Sequence, residues 1–522
     1  MRDFADFNTA LNAVFDPGTG AADLDAIAHE QPDLRHLVAG HGNVASGTLD
    51  WLATQGDQNV DQVLAGRGWV PPSDVVPEPG RGRSRRALWG WLAAIAAVVA
   101  ILVTVVAVMA RPPETTETRI MNPLRRAPVQ AQDLPAPVQL WAHDYGGEGD
   151  DVFQAVAVAP TEAIVVVGYT TSLGGDFPSG NHDQDAVVAM LNRDGVMQWS
   201  QTYGGADDDV FRSVAVSQDG SIYAVGQSGA SAVAVKLSAD GKVLWTKLFS
   251  GNGDEYFAAV AVTASGIVVA GYTDATTGDF TTRHGGRDAL LVGIDETGTV
   301  LWQGAYGGLG DDSFAGLAVR PDGSLVAVGK SDSADGDFGS DQRGPNAVLA
   351  QFDASGGLQW ANTYGGSGDD EFNDVAVMAS DSFFVVGGTA STDGQLRYAM
   401  TSGVMVGIDC ALTARTSVPN CGSLGDATGD VTMLSAAVAP DGSMAYVSGM
   451  PGDPWQTSVS IDSVDQGTAL SSTVIVDEAQ LNGVAALPDG RFVVVGAARP
   501  GSVTMPATHG ATDAIVALYV LI

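Results

Sequence analysis

Two kinds of apolar pattern divide the chain. Over residues 1–66 apolar side chains recur at helical spacing: Leu24, Ile27 and Ala28, then Leu34, Leu37 and Val38 after Pro32, then Leu49 and Leu52. Thr19, with Pro17 just upstream, is placed to cap the first of these helices. From residue 137 onward the apolar residues come in short Val/Ala-rich runs bounded by glycine and acidic residues, the pattern of strands. Between the two lies ALWGWLAAIAAVVAILVTVVAVMA, residues 87–110, uncharged throughout. As a helix rising ~1.5 Å per residue it would reach about 36 Å, against roughly 30 Å of bilayer hydrocarbon.

That run is expected to be a single transmembrane helix. Arg81, Arg83, Arg85 and Arg86 crowd its front, whereas Arg111, Arg119, Arg125 and Arg126 are spread out behind it. The denser cationic flank belongs inside, and Trp89 and Trp91 would anchor the same interface. The expectation is a single-pass plasma-membrane protein that meets lipid through residues 87–110, with a cytoplasmic N-terminus and everything beyond the span extracytoplasmic. The segments at 67–86 and 111–136 are proline-rich, the first also arginine-rich, and should be extended linkers.

Beyond residue 137 the strand pattern repeats. GGEGDDVFQAVAV, residues 146–158, returns as GGADDDVFRSVAV, GGLGDDSFAGLAV and GGSGDDEFNDVAV. Trp141, Trp199, Trp245, Trp302 and Trp360 mark the same units, at separations in the range of propeller blades. Each unit runs through an acidic turn, an Ala/Val strand, a second strand ending at glycine, a loop, a third strand, and Gly-x-x-x-Trp in a fourth. The glycine of the second strand occurs at Gly168, Gly226, Gly271, Gly329, Gly387, Gly449 and Gly496. Glycine weakens a strand, so its recurrence at one register marks a place where backbones or ligands come close. The last unit ends after a third strand, DAIVALYVLI, while VQLWAHDYGG at the front is a fourth-type strand without its first three. Each end supplies what the other lacks, and their pairing would close a ring and remove exposed edges. An open stack of hairpins is the alternative.

The expected fold class is therefore multidomain: a small all-α N-terminal domain (1–66), one transmembrane helix (87–110), and an all-β seven-bladed propeller (137–522) closed by its own N-terminal strand. With 66 glycines in 522 residues and 45% hydrophobic residues, tight turns and a large core are expected together. A net charge of −36 would repel a phosphate backbone, which argues against nucleic acid and favours cations or basic surfaces.

The acidic turns admit two roles. Asp150, Asp208, Asp254, Asp311 and Asp369 can cap their own glycine-rich loops by accepting backbone N–H groups. Asp151, Asp209, Glu255, Asp312 and Asp370, beside them, could offer oxygen ligands to calcium, so all ten positions are candidates for that cation. Asp176, Asp279 and Asp337, on the loops between second and third strands, should share the same face, and no dedicated calcium loop is present. Cys410 and Cys421 are the two cysteines, and a disulfide between them is expected outside the cytoplasm. If both lay in one regular strand they would be too far apart, so the bond requires that strand to be irregular or looped. Catalytic patterns are missing: His143, His182, His284 and His509 are scattered, and neither a serine elbow nor a P-loop occurs. Arg283, Arg287, Arg320, Arg343 and Arg397 share no register of the repeat.

Through Asp16-Pro17-x-Thr19, PDLRHLVAGHGN and LDWLATQGD, the N-terminal region resembles the variant leucine-rich repeat domain of actinobacterial proteins, which implies a small helical, protein-binding module. Through YGGxGDDxFxxVAV, VVVGYT and DAVVAML, residues 137–522 resemble the seven-bladed β-propeller repeat family of bacterial surface and secreted proteins. Together these point to a non-enzymatic binding or scaffold protein: an extracytoplasmic propeller for a protein, glycan or cation, and a helical adaptor for a cytoplasmic protein partner. An extracytoplasmic glycan hydrolase or lyase, or a transmembrane sensor, is the alternative.

Overall fold

The Val/Ala-rich runs of 137–522 pair as antiparallel sheets, each unit's β-branched and small residues packing against the next unit. The computed structural model describes residues 21–30, 48 and 137–521, except 178–182, 281–283, 340–343, 380–381, 392, 395–407, 412–419, 424–431, 451–452, 466–467, 503 and 508. Met1–Thr118 and Arg119–Ile522 are separate compact units.

Among the described residues of the second unit, seven four-stranded sheets are present. Six are built from strands consecutive in sequence. Blade 1 comprises Asp151–Val158, Ile164–Thr170, Asp185–Leu191 and Met197–Tyr203. Blade 2 comprises Asp209–Val216, Ile222–Ser228, Ser231–Leu237 and Val243–Phe249. Blade 3 comprises Glu255–Thr263, Gly266–Thr273, Asp288–Asp295 and Val300–Tyr306. Blade 4 comprises Asp312–Val319, Leu325–Ser331, Asn346–Phe352 and Leu358–Tyr364. Blade 5 comprises Asp370–Ala379, Ser382–Thr389, Ile408–Ala411 and Asn420–Ser423. Blade 6 comprises Thr432–Val438, Met444–Met450, Asp453–Asp465 and Thr468–Asp477. The remaining sheet is composite: Ala479–Ala486, Phe492–Ala498 and Asp513–Val520 are completed by Val138–Tyr145, which pairs antiparallel with Asp513–Val520. The first strand of every blade touches the first strand of the next, and that of the composite blade returns to that of blade 1, so the inner strands form a closed ring.

Burial follows position in the blade. Second and third strands such as Ile164–Thr170 and Asp185–Leu191 are buried on both faces, hence their continuous apolar runs, whereas fourth strands such as Val243–Phe249 expose alternate residues. Each inner strand carries a bulge immediately after Phe153, Phe211, Phe257, Phe314, Phe372, Met433 or Leu481, and that of blade 5 has a second register shift between Val377 and Ala379. Five of the aromatic rings so placed are almost fully buried between blades.

The recurrent strand glycine has a backbone cause. Gly168, Gly226, Gly271, Gly329 and Gly387 lie opposite the Phe at the bulge and Gly496 opposite Leu481; a Cβ on any of the six would come within 1.9–2.1 Å of an inner-strand carbonyl. Gly449 differs, because it pairs with Thr432, one residue before Met433, and a Cβ there would meet nothing closer than 3.7 Å. The tryptophans join successive blades. Trp199 donates its indole N–H to Ala239 O (3.2 Å) and Trp245 donates to Glu296 O (3.1 Å), both on the next blade. Trp141, Trp199, Trp245 and Trp302 pack on Gly195, Gly241, Gly298 and Gly356, where a Cβ would come within 2.5–3.1 Å of the ring and the φ of +81° to +87° also suits glycine. Trp141 performs this for the closing strand, so the same contact seals the ring.

Two expectations are corrected here. For the all-α domain over 1–66, the described residues give one ten-residue helix, Ala21–Glu30, which buries Leu24 and Ile27, and the buried Thr48; Pro17 and Thr19 lie outside the described residues. For the transmembrane helix, no helix among the described residues is long and apolar enough to cross a membrane, and residues 87–110 lie outside them. The ten-residue helix spans about 15 Å, half the hydrocarbon thickness. The single-pass plasma-membrane placement, the two-sided topology and the lipid contact all rested on that span, and no helix among the described residues carries them. What the structure describes is, apart from that helix and a single 3-10 turn, all-β.

The cysteines do not share one strand. Cys410 is in the third strand of blade 5 and Cys421 in the fourth, directly opposite each other in the antiparallel register. Cross-strand Cα separations of ~4.5–5.5 Å are compatible with a disulfide. Two measurements follow from this architecture. Alanine at Gly271 should destabilise the folded chain by about 1–3 kcal/mol through overpacking, while alanine at Gly449 should change it by less than about 0.5 kcal/mol, compared by denaturant unfolding. In non-reducing peptide mass analysis, the Cys410 and Cys421 peptides should appear joined and separate on reduction; free thiols at both would count against the bridge.

Candidate binding site at the mouth of the ring

The repeated acidic turn is a hydrogen-bond knot. In blade 1 the buried Asp151 carboxylate accepts the N–H of Gly147 (2.9 Å) and the hydroxyls of Ser172 (2.8 Å) and Thr170. Ser172 Oγ also accepts from Gly149 N–H (2.9 Å), and Asp176 accepts from Gly146 N–H (3.1 Å). Blade 4 repeats this with Asp312, Gly308, Ser333 and Asp337, and blade 5 with Asp370, Gly366, Thr389 and Ser391. Asp209 accepts from Gly205 N–H (2.9 Å), and Asp279 from Ser250 N–H (2.7 Å).

The second carboxylate of each pair is thus the buried cap. Burial raises the pKa of Asp151 and Asp312, and the surrounding donors oppose that rise. The first carboxylates are exposed and link neighbours: Asp208 accepts from Gln184 N–H (3.3 Å) and Asp311 from Arg287 N–H (2.9 Å). The backbone carbonyls of Asp150, Asp254 and Asp369 each accept an N–H from the following loop. Among the described residues, the three metal-ligating side chains that gather within 4.8 Å are Asp144, His509 and Asp513, none of them in the ten turn positions considered for calcium.

Blade 3 breaks the pattern. Glu255 stands where other blades have aspartate, and Ala275 where blades 1, 4 and 5 have the serine donor. Glu255 is 1% exposed, and neither of its carboxylate oxygens reaches hydrogen-bonding geometry with a partner. Burial first, then the charge of Asp274, pushes its pKa up to about 7; the nearby Gly251 N–H only partly offsets this, and Asp254 and Asp279 add to it.

Beside this position the inner strands bring together residues distant in sequence. Tyr256 and Tyr272 are cross-strand partners in blade 3, packed edge to face with ring centroids 4.5 Å apart. Arg212 of blade 2 lies over Tyr256 at 5.0 Å, and Arg287 over Tyr272 at 4.0 Å, both cation–π distances. Among the described residues neither guanidinium has an ion-pair partner, and Arg287 Nε is buried without a hydrogen bond. An open cleft of about 450 Å³ adjoins Arg287, lined also by Asn252, Asp254, Asp274 and Asp311. A second cleft, of about 420 Å³, is lined by Asp150, Tyr169, Gln480, Arg499 and Trp455, with Arg499 over the Trp455 ring at 3.8 Å. Lys330 and Glu371 form a loose pair at 3.9 Å.

Burial is the leading cause that raises the pKa of Tyr169, Tyr256 and Tyr272. Their phenols stay protonated at neutral pH and can donate hydrogen bonds. Of the arginines considered from sequence, Arg287 belongs to this site, Arg320 sits on a turn beside Asp322 (3.8 Å), and Arg283, Arg343 and Arg397 lie outside the described residues. Arg212, Tyr256 and Tyr272 were not legible as a site. The available signal was variability: the second inner-strand residue and its partner change from blade to blade while their neighbours repeat.

Seven four-stranded sheets around a closed ring of inner strands define a β-propeller. Residues 8–68 match the family model of the leucine-rich repeat variant domain, in agreement with the resemblance seen in the N-terminal motifs. A search of curated proteins found no match. Among solved structures, the chain is similar to a protein from Lactobacillus plantarum, with 12% identity over 67% of this chain and 98% of the other and a TM-score of 0.40. It is also similar to Sqt1 from Chaetomium thermophilum, with 12% identity over 72% and 99% and a TM-score of 0.40. YCF48 bound to D1 peptide shows 11% identity over 74% and 97%, with a TM-score of 0.40.

The unsatisfied Glu255 gives a pH-dependent prediction. Its folded pKa, raised from 4.5 to about 7, favours the protonated fold, so its contribution is complete below pH 4.5 and is lost as pH rises through 7. Glu255→Gln should therefore stabilise the chain at pH 8, by on the order of 3 kcal/mol at ~1.36 kcal/mol per pKa unit, and match the parent near pH 4. A stability difference independent of pH in denaturant titrations would contradict this.

Proposed function

We propose that the propeller is a non-catalytic binding module whose mouth takes a protein segment bearing a carboxylate among basic residues. The observation that carries this is the pair of guanidiniums, Arg212 and Arg287, held against Tyr256 and Tyr272 without an acidic partner among the described residues, in a chain of net charge −36. Arginine presents a planar fork that matches a carboxylate with two parallel hydrogen bonds, and stacking on tyrosine pre-orders that fork before the ligand arrives. The exposed carboxylates of Asp254 and Asp311 beside the cleft suit basic groups on either side of the bound carboxylate. A polyanion is disfavoured by the same carboxylates. The protonated phenols favour binding over a hydrolase with a tyrosine nucleophile, which would need a lowered pKa.

The test is a peptide array of mixed-charge sequences and a glycan array, each probed with the full chain, followed by titration of the best binder. The expected result is peptide binding that weakens at least tenfold in Arg212→Ala and in Arg287→Ala, since charge-assisted bonds contribute about 1.5–3 kcal/mol each. Binding restricted to glycans, or peptide binding untouched by both substitutions, would refute the reading.

A further inference from the structure

The seam where the chain's two ends meet holds a different cluster. Asp144 is on the closing strand Val138–Tyr145 and faces Ile515 in the register, so Asp513, two residues away on the partner strand, is its diagonal neighbour on the same side of the sheet. His509 precedes Asp513 by four residues and is fixed to it, because the N–H groups of His509 (2.9 Å) and Gly510 (3.0 Å) donate to the Asp513 carboxylate. That places His509 Nδ1 3.4 Å from Asp144 Oδ2 and gathers one donor atom from each of the three residues within 4.8 Å of one another. Asp513 is fully buried, and the charge of its carboxylate is felt by the buried Asp151 of the adjoining turn. Two carboxylates, those of Asp144 and Asp513, thus converge on one imidazole.

Blade 3 supplies an internal comparison. His284 precedes Asp288 by the same four residues, donates its N–H to that carboxylate, and places Nδ1 3.3 Å from it. The residue of its fourth strand that matches Asp144 is Ala305, so the histidine and aspartate are there without the third ligand. The loop geometry therefore accounts for His509 and Asp513, while Asp144 is particular to the closing strand.

We propose that Asp144, His509 and Asp513 bind a divalent transition-metal ion of the zinc class, clasping the closing strand to the last strand of the ring. One imidazole and two carboxylates suit such an ion, and three protein ligands leave a coordination position for water. Bonds of ~2.0–2.2 Å put tetrahedral donors about 3.3 Å apart, so the donors must draw together slightly, a movement that the exposed His509 side chain can make. Each oxygen of Asp513 keeps a lone pair beyond its N–H contact for the ion. Because the ligands come from both ends of the propeller, the ion binds the closed ring and not the unfolded chain, and so stabilises closure.

Thermal unfolding of the full chain is compared in EDTA and with equimolar and excess zinc chloride, for the parent, Asp144→Asn, His509→Ala and His284→Ala. Zinc should raise the midpoint by several degrees in the parent and in His284→Ala, and should leave Asp144→Asn and His509→Ala unshifted. His509 is on the surface, so its variant keeps the test informative even if Asp144→Asn folds poorly. The proposal is overturned by an unshifted parent, by a shift that survives in His509→Ala, or by a shift given by calcium and not by zinc.

Discussion

A buried carboxylate at the head of five of the seven inner strands is the constraint on which the propeller rests. It must be placed where water is excluded, and an unpaired charge there would be costly, so each turn has to deliver donors to it. Gly147 N–H and the hydroxyls of Thr170 and Ser172 do so for Asp151, their counterparts Gly366, Thr389 and Ser391 do so for Asp370, and Gly308 N–H and the Ser333 hydroxyl do so for one oxygen of Asp312. The same arrangement fixes where the next strand begins, and hence where its phenylalanine enters the space between blades. The repetition of the acidic turn is thereby explained by folding, with no ligand required.

Where this knot is incomplete, or the register shifts, the blade becomes free to vary. Glu255 has lost its serine donor to Ala275, and the same blade carries the tyrosine pair, on which its own Arg287 and Arg212 of blade 2 stack. Gly449 has slipped by one residue from the bulge, and its blade has a long hairpin from Asp453 to Asp477 in place of short outer strands. The structural residues of the repeat are those that recur, and the residues suited to recognition lie at registers that do not.

Closure of the ring depends on the same contacts as its interior. Trp141 lies on Gly195 as Trp199 lies on Gly241, so the joint between the chain's ends is one more interblade contact. What distinguishes the seam is Asp144, on a strand whose covalent neighbours are not those of its sheet. Without a loop to join it to its partner strand, that strand gains most from any additional tie.

Strands, their order, the recurring glycine and the presence of complementary chain ends were all determined by the sequence, because alternation, turn residues and glycine placement act over ten residues or fewer. Only tertiary structure decided which aspartate of each pair is buried, because that depends on hydroxyls some twenty residues further on. It likewise decided that Cys410 opposes Cys421, that Arg212 meets Tyr256, and that His509 meets Asp144, since each pair is made by the return of the chain or by neighbouring blades. No local periodicity records such meetings; they exist only once the ring has closed.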